Sequence, residues 1–306
     1  MGRFRKITGA IVLVCAIYIA YIMRDTFDPE SIRGKKVIVT GASTGIGEQI
    51  AYHYARLGAK ILITARRENL LKEVSKKCIE LGAQEAHYLP MDMAKVNDTG
   101  RLIVEAEKKL GGLDYLVLNH ALYYWELWDG NIEKLQNIMN VNFMSFVSLA
   151  SKALPMLTKT NGSIVVVSSA AGVMGNPGLS KYSASKFALG GFFEALRYEL
   201  MWKKINVPIT ICILGAVDTD TMMNQMQKLA SPERFQTLKQ FFMSTEVVAI
   251  EVIKSGARGD RIAYFSFPPG LLQALHTVNV IAPSLLDGSI VSQGERIFSR
   301  LAKNRT

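Results

Sequence analysis

Tyr182 and Lys186 are the residues whose types and spacing most directly suggest chemistry. They stand four positions apart in Tyr182-Ser-Ala-Ser-Lys186, which places both side chains on one face of a helix. A free phenol has a pKa of about 10, too high for easy proton exchange at neutral pH. A nearby ammonium group favours the phenolate and lowers that pKa. We therefore expect Tyr182 to give a proton to a carbonyl oxygen, or to take one from an alcohol.

Ser169 adds a third candidate group. It follows the apolar residues 163–168, which predict a buried strand. A hydroxyl at the end of that strand is placed to hold the substrate oxygen while charge develops on it. A lone Tyr-x-x-x-Lys pair is more often an ordinary pair of helix residues, so the chemical interpretation depends on a cofactor site elsewhere in the chain.

Such a site is indicated by Gly41, Gly45 and Gly47. The apolar residues 37–39 before them predict a strand, and residues 45–57 show helical spacing. Glycines let the backbone approach a pyrophosphate, and the free N–H groups of a helix N-terminus stabilise its charge. The spacing differs from the common G-x-G-x-x-G, and many glycine turns bind nothing. Together with the tyrosine–lysine pair, however, the turn predicts a dinucleotide site.

Arg66 indicates which dinucleotide is bound. In such folds an acidic residue at the end of the second strand accepts a hydrogen bond from the ribose of NAD, whereas a cation accommodates the 2′-phosphate of NADP. The second predicted strand, residues 59–64, is followed by Ala65, Arg66 and Arg67. The planar guanidinium of Arg66 suits a phosphate. The alternative is a solvated surface arginine, and we interpret the site as one for NADP(H).

Composition excludes several classes of function. The chain has 306 residues, of which 49% are hydrophobic, and a formal net charge of +10. This length allows one large α/β domain with a substantial core. The basic residues are scattered and cluster only at the two ends, so we expect no nucleic-acid partner; an anionic cofactor and lipid headgroups explain the charge better. The three cysteines and four histidines show neither disulfide nor ligand spacing, and we expect no metal site.

Apolar strand-like segments alternate with segments of helical periodicity. The predicted strands are residues 37–39, 59–64, 86–89, 115–118, 163–168 and 207–214. The predicted helices are residues 45–57, 68–81, 95–110 and 183–201, with one or two further helices in residues 132–157. This alternation predicts an α/β fold with a Rossmann-type, doubly wound parallel sheet in a single domain. We assign residues 34–260 to that domain, 25–33 to a linker and 261–306 to an apolar and basic extension.

Residues 1–24 predict a short cytosolic stub and a membrane anchor. Residues 7–23 carry no charge, at the short end of the roughly 17–25 residues of a transmembrane helix. The alternative, a cleaved signal peptide, fits less well because the apolar run is long and no A-x-A-like site follows it. Basic residues precede the run and acidic ones follow it, which sends the domain to the lumen of the endoplasmic reticulum. Sequons at Asn97, Asn161 and Asn304 would then be glycosylation sites.

Taken together, these motifs resemble the short-chain dehydrogenase/reductase superfamily over residues 34–220. That resemblance implies a catalytic tetrad of Asn142, Ser169, Tyr182 and Lys186, in which the asparagine holds a water in a proton relay reaching the lysine. It also implies that Ser169 and Tyr182 bind the substrate. The cofactor-binding candidates are Gly41, Ser43, Thr44, Gly45, Ile46, Gly47, Arg66, Asp92, Met93, Asn119, His120, Ala121, Tyr182, Lys186, Val217, Thr219 and Thr221.

A closer resemblance is to the 11β-hydroxysteroid dehydrogenase branch of that superfamily. It rests on Phe27-Asp-Pro29, Leu118-Asn-His120 and Asn161-Gly-Ser-Ile-Val-Val-Val-Ser-Ser169. The resemblance implies a membrane-bound, NADP(H)-dependent homodimer that interconverts a ketone and a secondary alcohol on a lipophilic substrate, first of all a steroid.

The substrate side departs from that branch and leaves the substrate open. Residues 122–125 are unusually aromatic, and Lys181 places a cation beside the tyrosine. A retinoid, a fatty aldehyde or a xenobiotic carbonyl is the alternative substrate. A membrane protein that binds NADP(H) without catalysis is the alternative class, and the intact tetrad argues against it.

Residues 222–243 predict an apolar lid or, equally, packing against the domain or a partner. For the apolar residues 262–283, the resemblance to the membrane-bound members of the superfamily implies packing at a dimer interface or contact with the bilayer.

Overall fold

The computed structural model describes residues 26–229 and 231–303. Its central feature is a parallel sheet with the strand order β3-β2-β1-β4-β5-β6-β7. The strands are β1 (Lys36–Thr40), β2 (Lys60–Ala65), β3 (Glu85–Pro90), β4 (Tyr115–Leu118), β5 (Ser163–Ser169), β6 (Ile209–Leu214) and β7 (Ile262–Phe265). The order reverses between β1 and β4, and ligands of such sheets bind at the carboxyl ends of the strands at that switch point.

Helices connect the strands and follow the last of them. They are α1 (Gly45–Arg56), α2 (Glu68–Glu80), α3 (Gly100–Leu110), α4 (Ile132–Met139), α5 (Ser145–Thr160), α6 (Ser180–Trp202), α7 (Asp220–Leu229), α8 (Pro232–Lys239), α9 (Thr245–Arg258), α10 (Leu271–Ile281) and α11 (Ser284–Lys303). A π-helical turn, Asn140–Met144, joins α4 to α5, and a 3₁₀ turn, Ala170–Gly172, follows β5.

Alternation of apolar side chains along the strands builds a core on each face of the sheet. Val37 and Val39 of β1 point to the face covered by α1, α2 and α9, whereas Ile38 between them points to the face covered by α3, α5 and α6. Burying each such side chain contributes about 1.5–3 kcal/mol. Both faces are covered, as the continuous apolar runs of the strands indicated. The prediction of a parallel α/β sheet in a single domain is confirmed.

The sheet has one strand more than the sequence indicated. The predicted strands correspond in position to β1–β6, while β7 pairs with β6 from Ile211 opposite Ile262 to Leu214 opposite Phe265. This strand lies in residues 261–306, to which we assigned only an extension. It was missed because it is a short edge strand whose first residue is exposed, directly before a pair of prolines at 268 and 269.

The predicted membrane anchor lies outside the described residues. Within the described part of the chain, no single helix is long and apolar enough to cross a bilayer. Leu271–Ile281 and Ser284–Ser292 reach that apolar length only as a pair, and the pair is bent by 117°. These two segments expose several large apolar side chains, including Val280, Ile281 and Leu285.

Candidate active site

Helix α6 positions the tyrosine and the lysine beside the end of β5. Both side chains are buried, and the Lys186 ammonium lies 5.7 Å from the centre of the Tyr182 ring. Lys186 Nζ also donates a hydrogen bond to the carbonyl oxygen of Val167 at 3.0 Å. Ser169, the last residue of β5, accepts a hydrogen bond from the backbone N–H of Ala171 at 3.2 Å, and its hydroxyl lies close enough to the phenol of Tyr182 to act on the pKa of that group. The predicted spacing on one helix face is therefore realised, with the serine placed against the same phenol.

Burial, rather than the neighbouring ammonium, dominates the proton equilibria here. Burial raises the pKa of Tyr182 to about 12, against a smaller lowering by the hydrogen bond with Ser169. Burial also lowers the pKa of Lys186 to about 7. The expectation that Lys186 depresses the pKa of Tyr182 is therefore wrong for the protein without ligands, because desolvation penalises the charged form of each group.

Asn142 lies within the π-helical turn and is fully buried. Its amide makes a reciprocal pair with Leu122, accepting from the backbone N–H at 2.6 Å and donating to the carbonyl oxygen at 2.8 Å. It donates also to Ser185 Oγ at 3.0 Å, which in turn donates to the carbonyl oxygen of Tyr182. These bonds join the loop after β4 to the catalytic helix. The hydrogen bonds described for Asn142 run to Leu122 and Ser185 rather than to Lys186.

The glycine turn leaves space for a cofactor next to the backbone, and at Gly41 and Gly47 no side chain can be accommodated. A Cβ on Gly47 would come within 2.3 Å of the carbonyl oxygen of Gly41, and a Cβ on Gly41 within 2.6 Å of His120 Cα. Gly41 and Gly45 also have φ angles of +68° and +66°, which glycine adopts without strain. Thr44, at the N-cap of α1, makes no capping hydrogen bond through its side chain. The N-terminus of α1 is thus open to a phosphate, and the residues fit a dinucleotide.

Two arginines stand at the end of β2 beside this turn. Arg66 is exposed and lines the cavity. Arg67 Nη2 donates hydrogen bonds to the hydroxyls of Ser43 at 3.0 Å and Thr44 at 2.9 Å. Arg67 therefore braces the glycine turn, a role that was not foreseen, although the adjacent arginines were visible in the sequence.

One cavity of about 940 Å³ brings most of the predicted site residues together. Of those residues, Gly47 and Asn142 do not line it: Gly47 packs against Gly41 and Asn119, and Asn142 is hydrogen-bonded to the backbone of Leu122. The predicted residues that line it are Gly41, Ser43, Thr44, Gly45, Ile46, Arg66, Asp92, Met93, Asn119, His120, Ala121, Ser169, Tyr182, Lys186, Val217, Thr219 and Thr221.

His120 is predominantly a brace between elements. Its imidazole lies 2.8 Å from Thr40 Oγ1, 2.7 Å from Ser145 Oγ and 3.0 Å from the carbonyl oxygen of Val141. Burial, assisted by Lys186, lowers the pKa of His120 to about 3, so the ring is neutral at physiological pH. The imidazole thus ties the end of β1 to the π-helical turn, with the backbone of His120 packed on Gly41.

Aromatic and apolar side chains line a further part of the cavity, together with the polar residues Asn137, Asn176 and Arg234. Tyr123 packs edge-on against Tyr182 with ring centres 4.9 Å apart, and Tyr124 and Trp125 follow it along the wall. Lys181, expected beside the catalytic tyrosine, pairs instead with Glu126 at 3.1 Å. The segment predicted as a lid contributes Met222, Met226, Leu238 and Phe242 to the lining of the cavity.

The C-terminal helix also reaches the cavity. Ile290 and Gly294 of α11 line it, and a Cβ on Gly294 would come within 2.7 Å of Pro177 Cγ. No motif marks these residues, and only the tertiary fold brings them to the site. Within residues 26–229 and 231–303, no group of three or more His, Cys, Asp or Glu side chains could hold a metal ion.

The family model described as short chain dehydrogenase matches residues 35–230. The chain therefore belongs to the short-chain dehydrogenase family. It is 45% identical over 272 residues to a hydroxysteroid 11-beta-dehydrogenase 1-like protein of Gallus gallus, covering 88% of this chain and 90% of that one. The corresponding protein of Danio rerio is 47% identical over 253 residues, covering 81% and 85%. The predicted family resemblance is confirmed, and the chain is a hydroxysteroid dehydrogenase-like oxidoreductase.

Solved structures share the fold. A 7α-hydroxysteroid dehydrogenase in complex with NADH and 7-oxo glycochenodeoxycholic acid has a TM-score of 0.70 at 24% identity, covering 79% of this chain and 97% of that one. A short chain dehydrogenase of Burkholderia cenocepacia in complex with NADP has a TM-score of 0.66 at 25% identity, covering 76% and 97%. Family members of this fold thus bind NAD(P)(H).

The lowered pKa of Lys186 makes a prediction about stability. An unfolded lysine has a pKa of about 10.4, so between pH 7 and that value the unfolded chain binds a proton that the folded chain does not. The free energy of unfolding therefore rises with pH in this window, and the gain is lost below pH 7. We expect Lys186→Met, in the cofactor-free protein, to remove about 1–2 kcal/mol of the rise between pH 7 and 8.5, measured by urea unfolding. The exposed Lys72→Met is the control, and an unchanged slope in Lys186→Met would contradict the assignment.

Proposed function

We propose that the protein is an NADP(H)-dependent oxidoreductase that interconverts a ketone and a secondary alcohol on a lipophilic substrate, first of all a steroid. The observation that carries the proposal is the convergence of Ser169, Tyr182 and Lys186 with the glycine turn on one cavity. A proton donor, an oxygen-binding hydroxyl and a dinucleotide cradle are the groups that carbonyl reduction requires.

The buried phenol supports the role of an acid. Because the pKa of Tyr182 is about 12, the phenol is protonated at neutral pH and can donate to a carbonyl oxygen. Ser169 holds that oxygen as charge develops on it, and Lys186 lies beneath the tyrosine ring. A bound NADPH would supply the hydride. Through Leu122 and Ser185, Asn142 holds the loop and the helix that carry these groups.

The walls of the cavity support a lipophilic substrate. Tyr123, Tyr124 and Trp125 line the same cavity as Met222 and Phe242. Aromatic rings and methionines suit a large apolar ring system. The names of the relatives in Gallus gallus and Danio rerio point the same way, toward a hydroxysteroid. A retinoid, a fatty aldehyde or a xenobiotic carbonyl would use the same chemistry in the same cavity.

Replacing the acid tests the chemistry. We expect Tyr182→Phe to lower NADPH-dependent reduction of cortisone, an 11-oxo steroid, by about 10²–10⁴-fold, because general acid catalysis contributes that much. NADPH oxidation is followed by absorbance, with retinal and an aromatic aldehyde as further carbonyls. If the unaltered protein reduces only the other carbonyls, a steroid is excluded as the substrate and the mechanism stands. Binding of NADPH without turnover of any carbonyl would favour a non-catalytic binding protein.

Arg66 carries the proposal of NADP(H) over NAD(H). Its exposed guanidinium lines the cavity at the end of β2, where a 2′-phosphate lies in such folds. Arg67 braces the adjoining turn and adds positive charge there. The short chain dehydrogenase of Burkholderia cenocepacia was solved with NADP, whereas the 7α-hydroxysteroid dehydrogenase was solved with NADH, so the proposal rests on Arg66 and not on these two structures.

The cofactor preference follows from that placement. We expect Arg66→Asp to raise the Kd for NADPH by about 10²-fold and to raise that for NADH much less, since a carboxylate repels the 2′-phosphate and accepts from a ribose hydroxyl. Titration of cofactor fluorescence measures both constants. Arg101→Asp, the same charge change at an exposed position of α3, is the control. An equal rise in the Kd for NADPH and for NADH would show that Arg66 does not bind the 2′-phosphate.

We further propose that the protein is anchored in the membrane of the endoplasmic reticulum with its catalytic domain in the lumen. The charge-free residues 7–23 support the anchor. The exposed apolar residues Val280, Ile281 and Leu285 support an additional contact with lipid. Exposed Asn97 and Asn161 suit glycosylation in that compartment. Exposed apolar residues of α6, among them Met201 and Trp202, support pairing of two copies.

Protease protection tests the orientation. In intact microsomes that contain the full-length protein, we expect the catalytic domain to resist added protease, because the membrane separates the two. Detergent should expose it to digestion, which serves as the control. Digestion in intact vesicles would place the domain on the cytosolic side and remove the basis for glycosylation.

A further inference from the structure

Lys181 is a buried cation that the chemistry does not use. Its side chain is 2% exposed, although it directly precedes Tyr182. The ammonium lies 3.1 Å from Glu126 Oε1 and 3.4 Å from Asp129 Oδ1, and it sits 5.4 Å from the centre of the Trp128 ring. A lysine is almost never buried unless it is paired, and both of its anionic partners belong to the loop that follows β4.

The position of this cation is unfavourable without its partners. Lys181 lies in the first turn of α6, where the helix dipole disfavours positive charge. Two carboxylates from one loop offset that cost. Hydrogen bonds from Lys181 and Lys134 outweigh burial and lower the pKa of Glu126, so its carboxylate stays ionised at neutral pH. The ion pairs therefore hold the loop against the start of the catalytic helix.

The same loop is tied to the segment before α6 at further points. The backbone N–H of Glu126 donates to the carbonyl oxygen of Gly178 at 3.0 Å, and Trp125 Nε1 donates to that of Pro177 at 3.2 Å. Just upstream, Tyr123 packs against the ring of Tyr182. The loop that carries the ion-paired carboxylates thus also carries the aromatic wall of the cavity.

We propose that Lys181, Glu126 and Asp129 form an ionic clamp that positions the aromatic wall Tyr123–Trp125 over the catalytic tyrosine and thereby sets selectivity for large substrates. The proposal rests on the function proposed above. Lys181 acts as a positioning residue, since its ammonium faces the loop carboxylates. A large ring system needs the wall in place along its whole length, whereas a small carbonyl needs only Tyr182 and Ser169.

Lys181→Met tests the clamp, because an apolar side chain of similar length fills the buried space without the charge. We expect the KM for cortisone to rise about 10-fold with kcat nearly unchanged, and the kinetics of 4-nitrobenzaldehyde to change less than about 2-fold. Lys181→Arg should restore the KM for cortisone. Lys134→Met removes an exposed cation from the same Glu126 carboxylate and should leave the KM within about 2-fold.

Two kinetic outcomes would overturn the clamp. One is a shift in the pH profile of kcat in Lys181→Met for both substrates, which would mean that the cation acts on the proton of Tyr182. The other is an equal effect of Lys134→Met, which would mean that the charge near Glu126 matters and its burial does not.

Hydrogen exchange of residues 122–130 decides the matter independently of turnover. In Lys181→Met we expect these amides to exchange at least about 10-fold faster than in the unaltered protein and in Lys134→Met. Unchanged exchange would overturn the clamp even if the protein reduces steroids. If Lys181→Met exchanges faster but the unaltered protein reduces neither substrate, the clamp is supported and the proposed function is contradicted.

Discussion

The hydroxyl of Thr40 is the point on which the geometry of the site depends. It donates to the carbonyl oxygen of Val117, accepts from the backbone N–H of Asn119 at 2.9 Å and lies 2.8 Å from the imidazole of His120. These contacts join the end of β1 to the end of β4, where the strand order reverses. The glycine turn follows Thr40, and the loop that carries the aromatic wall Tyr123–Trp125 follows His120. One buried side chain therefore aligns the cofactor part and the substrate part of the cavity.

The parts of this site that depend on local sequence were predictable. Gly41 and Gly47 indicate a turn in which backbone packs on backbone. Tyr182 and Lys186 lie on the same face of a helix because they are four residues apart. The parallel sheet followed from the alternation of apolar strands and amphipathic helices. Each of these features is decided within a few neighbouring residues, which is the range over which spacing and turn chemistry are informative.

Features decided by burial and by distant packing were not predictable. The pKa of Tyr182 is raised because desolvation outweighs the hydrogen bond with Ser169, and the depth of burial is a property of the whole fold. The sequence shows Lys181 only as a cation next to Tyr182. Its ion pairs are with Glu126 and Asp129, which stand more than 50 residues earlier in the chain and are brought to it by the fold. The edge strand β7 is short and carries little pattern of its own.

The contribution of α11 to the cavity bears on how the protein is made. The glycine turn, the catalytic helix and the aromatic wall all leave the ribosome before Ile290 and Gly294, which line the same cavity. Gly294 also lies against Pro177. During synthesis the pocket therefore passes through a stage in which every chemical group is present but one side is open. A cofactor that arrives at that stage would meet a site that lacks the side contributed by α11, and that side is added only when the end of the chain docks.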